Sequence, residues 1–183
     1  MKNDKLLLVD ENDNVIGFES KEKCHEGRGL LHRAFSAFIF NSKGQLLIHQ
    51  RSKFKKLWPL YWSNSFCSHP RKGETYEKAA ERRGKEELGI ECKMKYLYKF
   101  QYYAPFKNIG CENELCAVLI GKYDGKISPN PKEIADWKFV DIDELKKDIA
   151  KNPDKYTPWF KMELKRLMKD FKKDIENLIY YRA

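Results

Sequence analysis

The sequence predicts an α/β (α+β) domain in which mixed β-sheets pack between helices. Strand-like runs come first, one helical segment lies in the middle, more strands follow, and helical segments end the chain. This order is typical of helices that cover a sheet. The length of 183 residues and the hydrophobic content of 42% predict one domain over residues 1–183 with its own core.

The first half of the chain predicts two β-hairpins and an irregular segment. Asn, Asp and Gly mark the turns of both hairpins, because these residues tolerate tight backbone geometry. The strands are Leu6–Val9 with Val15–Phe18, an N-terminal hairpin, and Leu30–Phe40 with Gln45–Gln50. The segment that follows, KKLWPLYWSNSFCSHPRKG, is predicted to be a loop, and its many large side chains indicate more than a connection.

The second half predicts a central helix, three strands and terminal helices. Thr75 to Leu88 is expected to be helical, with Gly89 ending the helix in a left-handed conformation. The last helix is predicted at about 158–180, with Thr157 as N-cap and Pro158 in its first turn. The elements between are strands at Tyr96–Tyr103, Glu114–Ile120 and Trp137–Val140 and a helix at Asp143–Ala150.

Composition restricts the partners and the compartment. The net charge of +9 favours anionic partners, although the lysines are spread along the chain. The cysteines are odd in number and contain no CxxC pair, so we expect reduced thiols rather than disulfides. No apolar run is long enough to span a membrane, and the N-terminal run is too short for a signal peptide. We therefore expect a cytoplasmic protein without a membrane partner.

Charged residues on the inward face of the central helix need an explanation. Helical spacing places Arg83 and Glu87 on the same face as Ala79, Ala80 and Gly84. Burying unpaired charges costs several kcal/mol, about 3–5 when one partner of a pair is missing. Either Arg83 and Glu87 form a structural ion pair, or they belong to a site for a metal or a phosphate group, the interpretation that we favour.

Two further features lie outside the central helix. Glu112 and Glu114 share one face of a predicted strand, so they either face water at a strand end or have a cation or proton between them. Cys67 and His69 lie two residues apart in the aromatic loop, a spacing at which a histidine can influence a thiol. The other histidines are scattered, and sequence spacing alone does not show that they converge.

Residues 68–90 resemble a Nudix box, the loop–helix–loop signature of a diphosphate-processing superfamily. The matching positions are Glu74, Arg82, Glu86, Glu87, Gly89 and Ile90. Ser68, Arg83 and Gly84 depart from the usual pattern. These departures argue against ordinary Nudix hydrolysis, in which the box carboxylates hold Mg²⁺ and activate water.

The same departures resemble one branch of the superfamily, the type 1 isopentenyl diphosphate isomerases. The resemblance covers about residues 21–159, and its most specific motifs are Cys67-Ser68-His69-Pro70 and Glu112-Asn113-Glu114. It implies isomerisation of isopentenyl diphosphate to dimethylallyl diphosphate by a 1,3-allylic proton shift through a tertiary carbocation, in isoprenoid biosynthesis.

The resemblance also implies the residues of the site. A first divalent ion (Mn²⁺, Zn²⁺ or Mg²⁺) would be bound by His25, His32, His69, Glu112 and Glu114, and a second, Mg²⁺, would link the substrate diphosphate to Glu87. The implied diphosphate-binding residues are Lys21, Arg51, Lys55, Ser68 and Arg83. Cys67 and Glu114 would move the protons, Tyr102 would hydrogen-bond Glu114, and Trp159 would face the carbocation. Which of Cys67 and Glu114 donates is left open.

Two other functions compete with this interpretation. A Nudix hydrolase acting on a nucleoside or prenyl diphosphate would use Glu86 and Glu87, and it would release phosphate. A nucleic-acid-binding module would use the basic, aromatic segment from Lys55 to Trp62. We favour a small-molecule diphosphate as the partner, no nucleic acid, and a monomer. The sequence assigns no role to Cys24, Cys92, Cys111, Cys116 and His49.

Overall fold

The computed structural model describes residues 5–180, so residues 1–4 and 181–183 of the expected domain lie outside the described part. The strands are β1 (Leu6–Val9), β2 (Val15–Glu19), β3 (His32–Phe40), β4 (Leu46–Arg51), β5 (Trp62–Ser63), β6 (Phe66–Ser68), β7 (Met94–Phe106), β8 (Gly110–Lys122) and β9 (Ile134–Val140). The helices are α1 (Lys21–His25), α2 (Tyr76–Leu88), α3 (Ile142–Lys151), α4 (Pro158–Asp170) and α5 (Lys172–Tyr180).

The strands form a mixed sheet, as the sequence predicts. β3 lies at its centre, where it pairs in parallel with β8 and antiparallel with β1, β4 and β6. β7 extends the sheet beyond β8, and β9 and β5 flank β4. The long pairing of β3 with β8 fixes which side chains from these two strands become neighbours.

Apolar side chains cover both faces of the sheet, because residues along each strand alternate between faces. On one face, Phe38 and Val118 pack with Phe160 and Leu164 of α4. On the other, side chains of β3 and β8 pack against α2. The prediction of sheets between helices is therefore confirmed, with α2 on one side and α4 on the other.

The hairpin of β7 and β8 is longer than predicted. The two strands pair from Met94 with Gly121 to Phe106 with Gly110, so most of the expected loop between them is sheet. Pro105 made this extension hard to recognise, because proline lacks the N–H that a central strand needs. β7 is paired with β8 alone, and an edge strand tolerates proline at this position.

The C-terminal helical segment lies where it was predicted, but it consists of two helices. α4 ends at Asp170, because the backbone of the next residue, Phe171, leaves the helical range at φ −124° and ψ 18°, and α5 then runs to Tyr180. Thr157 is the N-cap residue by position, yet its hydroxyl bonds with Ser63 Oγ (2.9 Å) instead of capping the helix. This contact ties the start of α4 to the aromatic loop.

The aromatic loop also contains β5 and β6, two short strands that were not predicted. α1 was likewise missed, because five residues are too few to show a helical period. Within residues 5–180, no helix is both long and apolar enough to cross a membrane.

Candidate active site

Strand register brings the predicted site residues together at one end of the sheet. Glu114 of β8 pairs with His32 of β3 on one side and with Tyr102 of β7 on the other. Further along β3, Ser36 pairs with Cys67 of β6. Glu114, Cys67 and a predicted metal ligand therefore converge, although they are far apart in sequence.

Three histidines and Glu114 form a cluster that fits a divalent metal ion. The nearest nitrogens of His25, His32 and His69 and an oxygen of Glu114 all lie within 4.8 Å of one another. Nδ1 of His25 donates a hydrogen bond to the backbone carbonyl of Lys21 (2.6 Å). Nδ1 of His32 donates in the same way to the carbonyl of Leu30 (2.8 Å). At His32 this bond leaves the Nε2 lone pair free to bind a metal. At His25, Nε2 lies 2.9 Å from a carboxylate oxygen of Glu112, which raises the pKa of the ring against the opposing effect of burial, so a metal ion would replace a proton there.

Unpartnered atoms support the fit. The Nε2 atoms of His32 and His69 are buried and have no hydrogen-bond partner within the described chain. Such atoms are costly unless a ligand satisfies them. Burial lowers the pKa of His69 to about 3, which keeps its ring in the neutral form that binds metals. Imidazole and carboxylate ligands suit several divalent ions, so the cluster specifies a divalent metal site but not the element.

The two carboxylates of β8 are buried and do not face water, which excludes the strand-end alternative. Glu112 and Glu114 are each 8% exposed. Glu112 lies outside the tight cluster of four and contacts it through His25, with 2.9 Å between Glu112 Oε2 and His25 Nε2. The structure thus places Glu112 at the edge of the predicted ligand set.

Both carboxylate oxygens of Glu114 face other residues of the site. Tyr102 donates a hydrogen bond of 2.6 Å from its hydroxyl to Glu114 Oε2, while Oε1 faces His69 (3.3 Å) and His32 (3.6 Å). Burial favours the protonated acid, but the two histidines beside the carboxylate outweigh burial and hold the pKa of Glu114 well below its usual range. Burial raises the pKa of Tyr102, which therefore stays a hydrogen-bond donor.

Cys67 lines the same pocket as the carboxylates and is protonated at neutral pH. Burial raises the pKa of its thiol to about 12, against the opposing effect of the Arg51 guanidinium. One nitrogen of that guanidinium lies 4.0 Å from Cys67 Sγ. The other donors of Arg51 bind the carbonyls of Trp58 (3.0 Å) and Leu57 (2.9 Å), so Arg51 also holds the aromatic loop in place.

A pocket of about 240 Å³ connects these groups. Cys67 and Glu114, the predicted proton-transfer residues, both line it. The five predicted diphosphate-binding residues line it as well: Lys21, Arg51, Lys55, Ser68 and Arg83. Cationic side chains from α1, β4, the loop after β4 and α2 thus surround one concave site, as an anionic substrate requires.

Arg83 and Glu87 form an ion pair, the first of the two alternatives considered for the inward face of α2. Arg83 donates to Glu87 Oε1 from Nε (3.0 Å) and from a terminal nitrogen (2.6 Å). Glu87 is 2% exposed and does not line the described pocket. Arg83 still reaches the pocket, so the ion pair and the phosphate-binding role are compatible.

Sequence analysis missed Glu133, which lies between two of the cationic residues. Its carboxylate forms an ion pair with Lys55 and lies 3.3 Å from a terminal nitrogen of Arg83. Glu133 follows Pro131 and Lys132 in a polar stretch before β9, and no motif distinguished it from other surface glutamates.

Trp159 is buried at the deep side of the site. Its indole N–H donates to Asn64 Oδ1 (3.3 Å), and its ring lies 6.1 Å from that of Tyr102 and 5.3 Å from the Arg51 guanidinium. Trp159 is 2% exposed and is not among the residues that line the described pocket. Asn64 lies in the aromatic loop, and its sequence context gave no reason to expect that it anchors this ring.

Comparison with known proteins identifies the family. Residues 30–160 match the NUDIX domain family. An isopentenyl-diphosphate Delta-isomerase of Photorhabdus laumondii is 47% identical over 79% of this chain and 83% of its own length. The chain belongs to the isopentenyl-diphosphate Delta-isomerase family, within the NUDIX superfamily. Another member, from Camptotheca acuminata, is 42% identical over 82% of this chain and 73% of the relative.

Solved structures support the fold of this isomerase-family chain. A crystal structure of a protein from Deinococcus radiodurans superposes with a TM-score of 0.65 and 29% identity, over 80% of this chain and 88% of that one. A MutT protein from Methanosarcina mazei gives a TM-score of 0.63 at 16% identity, over 78% and 96% of the two chains. At that identity the likeness concerns the fold alone.

Proposed function

We propose that this chain isomerises isopentenyl diphosphate to dimethylallyl diphosphate in isoprenoid biosynthesis. Membership of the isomerase family supports the reaction, and one observation in the site carries the proposal. Cys67 is a neutral thiol and Glu114 is a carboxylate, and both line the same pocket without a hydrogen bond to each other. Such a pair can act on the two ends of an allylic system.

The reaction needs one proton added and one removed. Protonation of the terminal CH₂ of the alkene forms a tertiary carbocation, and loss of a proton from the carbon on the other side of that centre forms the product. One of Cys67 and Glu114 supplies the first proton, and the other accepts the second. Tyr102 holds Glu114 in place through its 2.6 Å hydrogen bond. Trp159, whose ring lies 6.1 Å from that of Tyr102, is the proposed aromatic partner of the carbocation.

Metal ions and cationic side chains would have separate tasks. His25, His32, His69 and Glu114, with Glu112 beside them, would hold one divalent ion, which supplies positive charge that orients and polarises Glu114. Lys21, Arg51, Lys55, Ser68 and Arg83 would bind the diphosphate. Glu87 is the proposed residue for Mg²⁺ that arrives with the substrate, and this role requires it to loosen its ion pair with Arg83.

The proposed setting is the cytoplasm, with a small-molecule substrate and no nucleic-acid partner. All five cysteines are free thiols, as expected in a reducing compartment. The cationic side chains of the pocket converge on a concave site, whereas nucleic-acid binding uses an extended basic surface. We propose a monomer, since every residue assigned to the reaction comes from one chain.

Proton NMR of the purified protein with isopentenyl diphosphate and Mg²⁺ in D₂O tests the proposal. Deuterated dimethylallyl diphosphate with its diphosphate intact is the expected product. Cys67→Ala should remove this activity while the metal content stays unchanged, since Cys67 is outside the metal cluster. Release of phosphate would instead identify a hydrolase, and no reaction from metal-loaded protein would refute the isomerase function.

A further inference from the structure

Glu133 occupies a distinctive place behind the cationic wall of the pocket. Its two carboxylate oxygens contact different residues: Oε2 pairs with Lys55, and Oε1 lies 3.3 Å from Arg83. Both cations line the pocket, whereas Glu133 is not among the lining residues that the structure describes. Its side chain is 25% exposed and thus partly shielded from solvent.

The backbone around Glu133 is fixed on both sides. The Ser52 N–H, just after β4, donates to the Glu133 carbonyl (3.0 Å). The Asn130 N–H, in the same turn, donates to the Glu87 carbonyl near the end of α2 (2.8 Å). The turn therefore joins the segment that carries Lys55 to the helix that carries Arg83, and Glu133 is the side chain that contacts both cations.

The negative charge of Glu133 affects how the two cations are arranged. Lys55 and Arg83 carry like charges, and Glu133 is the carboxylate that contacts both. Arg83 is also held by Glu86 and Glu87, so without Glu133 it is chiefly Lys55 that repulsion would move away, which lowers the density of positive charge at the pocket. The two cations hold the pKa of Glu133 at about 2 despite partial burial, so the carboxylate is ionised at any working pH. A long lysine side chain also loses conformational freedom when it is held, and ordering it before the ligand arrives favours binding.

We propose that Glu133 is a positioning residue, which holds Lys55 and Arg83 in the arrangement that binds the diphosphate of the substrate. This inference rests on the proposed function, because it deepens the role of the same pocket. It assigns Glu133 no contact with the substrate. The opposite possibility is that Glu133 competes with the diphosphate for the two cations, in which case its removal would strengthen anion binding.

The variant Glu133→Gln separates these possibilities, because glutamine keeps the shape of the side chain and removes its charge. Calorimetric titration with inorganic pyrophosphate and Mg²⁺ should show a dissociation constant raised about tenfold. Steady-state kinetics should show a similar rise in KM for isopentenyl diphosphate, with kcat changed less than about threefold, since the reacting groups are untouched.

Asp13→Asn is the matched control. Asp13 also joins an arginine to a lysine from different strands, with 2.8 Å to Arg33 Nε and 3.0 Å to Lys99 Nζ, and its side chain is 12% exposed. It lies outside the pocket lining. Loss of an equivalent bridge there should leave pyrophosphate binding and KM unchanged, and a matching loss would show that Glu133 acts only through general stability.

The outcomes distinguish this inference from the proposed function. Unchanged or tighter pyrophosphate binding by folded Glu133→Gln overturns the positioning role, whatever the wild type catalyses. Weaker binding in a protein that performs no isomerisation would refute the function and support the role of Glu133 in a diphosphate pocket.

If Glu133→Gln does not fold, Glu133→Asp keeps the charge but withdraws it by one methylene, and it should raise the same dissociation constant about threefold. An unchanged constant there overturns the inference.

Discussion

Glu114 lies directly beside His32, because β8 and β3 run parallel in the register that pairs these two residues. Their side chains face each other with 3.6 Å between Glu114 Oε1 and His32 Nε2. A shift of one residue in either strand would turn Glu114 to the opposite face of the sheet, among apolar side chains. The site therefore depends on the pairing of two strands that are far apart in the sequence.

Replacing Tyr102 by phenylalanine should slow turnover without emptying the metal site. The hydroxyl of Tyr102 donates to the ionised Glu114 across 2.6 Å, and a hydrogen bond to a charged group contributes about 1.5–3 kcal/mol. We expect kcat to fall about 10- to 150-fold, with metal content and pyrophosphate affinity unchanged. Kinetics together with elemental analysis measures both quantities.

Tyr103→Phe is the control for that change. Tyr103 is the next residue on β7, points to the opposite face, and is 51% exposed. Its hydroxyl does not contact Glu114 in the structure as described, so turnover should stay near the wild-type value. A Tyr102→Phe variant with wild-type kcat would refute the positioning of Glu114 by this hydroxyl.

Replacing His69 by glutamine should empty the metal site. Its Nε2 is one of the unpartnered nitrogens of the cluster, and its neutral ring is suited to bind a metal. Mass-spectrometric metal analysis after dialysis should show about one divalent ion per chain in the wild type and less than about a tenth of that in the variant. A chelator should lower the unfolding temperature of the wild type and not that of the variant.

His49→Gln controls for the loss of a buried histidine. His49 is 2% exposed and its Nδ1 bonds with the Asn64 carbonyl, outside the cluster of four. Its burial lowers its pKa to about 3, as burial does for His69. This variant should retain its metal even if it is less stable. Equal metal loss in both variants would contradict the assignment of His69 as a ligand.

Sequence alone predicted most of this arrangement. The hairpin turns, the capped helix α2 and the alternation along β8 are local signals, and the structure contains each of them. Local alternation also placed Glu112 and Glu114 on one face, and both are buried there. The convergence of His25, His32 and His69 needed the family resemblance, because tertiary structure and not spacing brings them together.

Other features had no local signal. The contact of Glu133 with Lys55 and Arg83 joins residues that are 50 or more positions apart, and a polar turn gives no reason to expect it. The break between α4 and α5 occurs within a continuous apolar stripe, so the helical pattern continued across it. The anchoring of Trp159 by Asn64 likewise depends on packing across 95 positions.

Glu163 should make the stability of the protein depend on pH. It is 1% exposed, one of its oxygens has no partner among the described residues, and burial raises its pKa well above the usual value. The folded chain therefore keeps the proton while the unfolded chain releases it above a pKa of 4.5. This contribution to stability is complete below that pH and is lost as pH rises towards the folded pKa, by about 1.4 kcal/mol per pH unit.

Glu163→Gln isolates this contribution, because glutamine has no proton to lose. Urea unfolding at a series of pH values above 5, with chelator present throughout, should show the free energy of unfolding of the variant rising relative to that of the wild type, until the pH reaches the folded pKa of Glu163. Glu91→Gln, at an exposed residue paired with Lys85, should run parallel to the wild type. A Glu163→Gln curve that also stays parallel would mean that the buried carboxyl is ionised in the folded chain.

Replacing Trp159 by leucine should affect the reaction much more than the binding of its diphosphate. The indole ring already lies 5.3 Å from one cation, the Arg51 guanidinium, and Asn64 fixes its orientation. A desolvated contact between a tryptophan face and a carbocation contributes about 2 kcal/mol, which corresponds to about 30-fold in rate. Because the carbocation exists only along the reaction path, kcat should fall by at least that factor while Mg²⁺-pyrophosphate affinity changes less than about twofold.

Trp137→Leu, on the opposite side of the sheet, controls for the loss of a large ring and should leave both values unchanged. Equal losses of kcat and affinity in Trp159→Leu would mean that the ring supports the shape of the pocket rather than the cation.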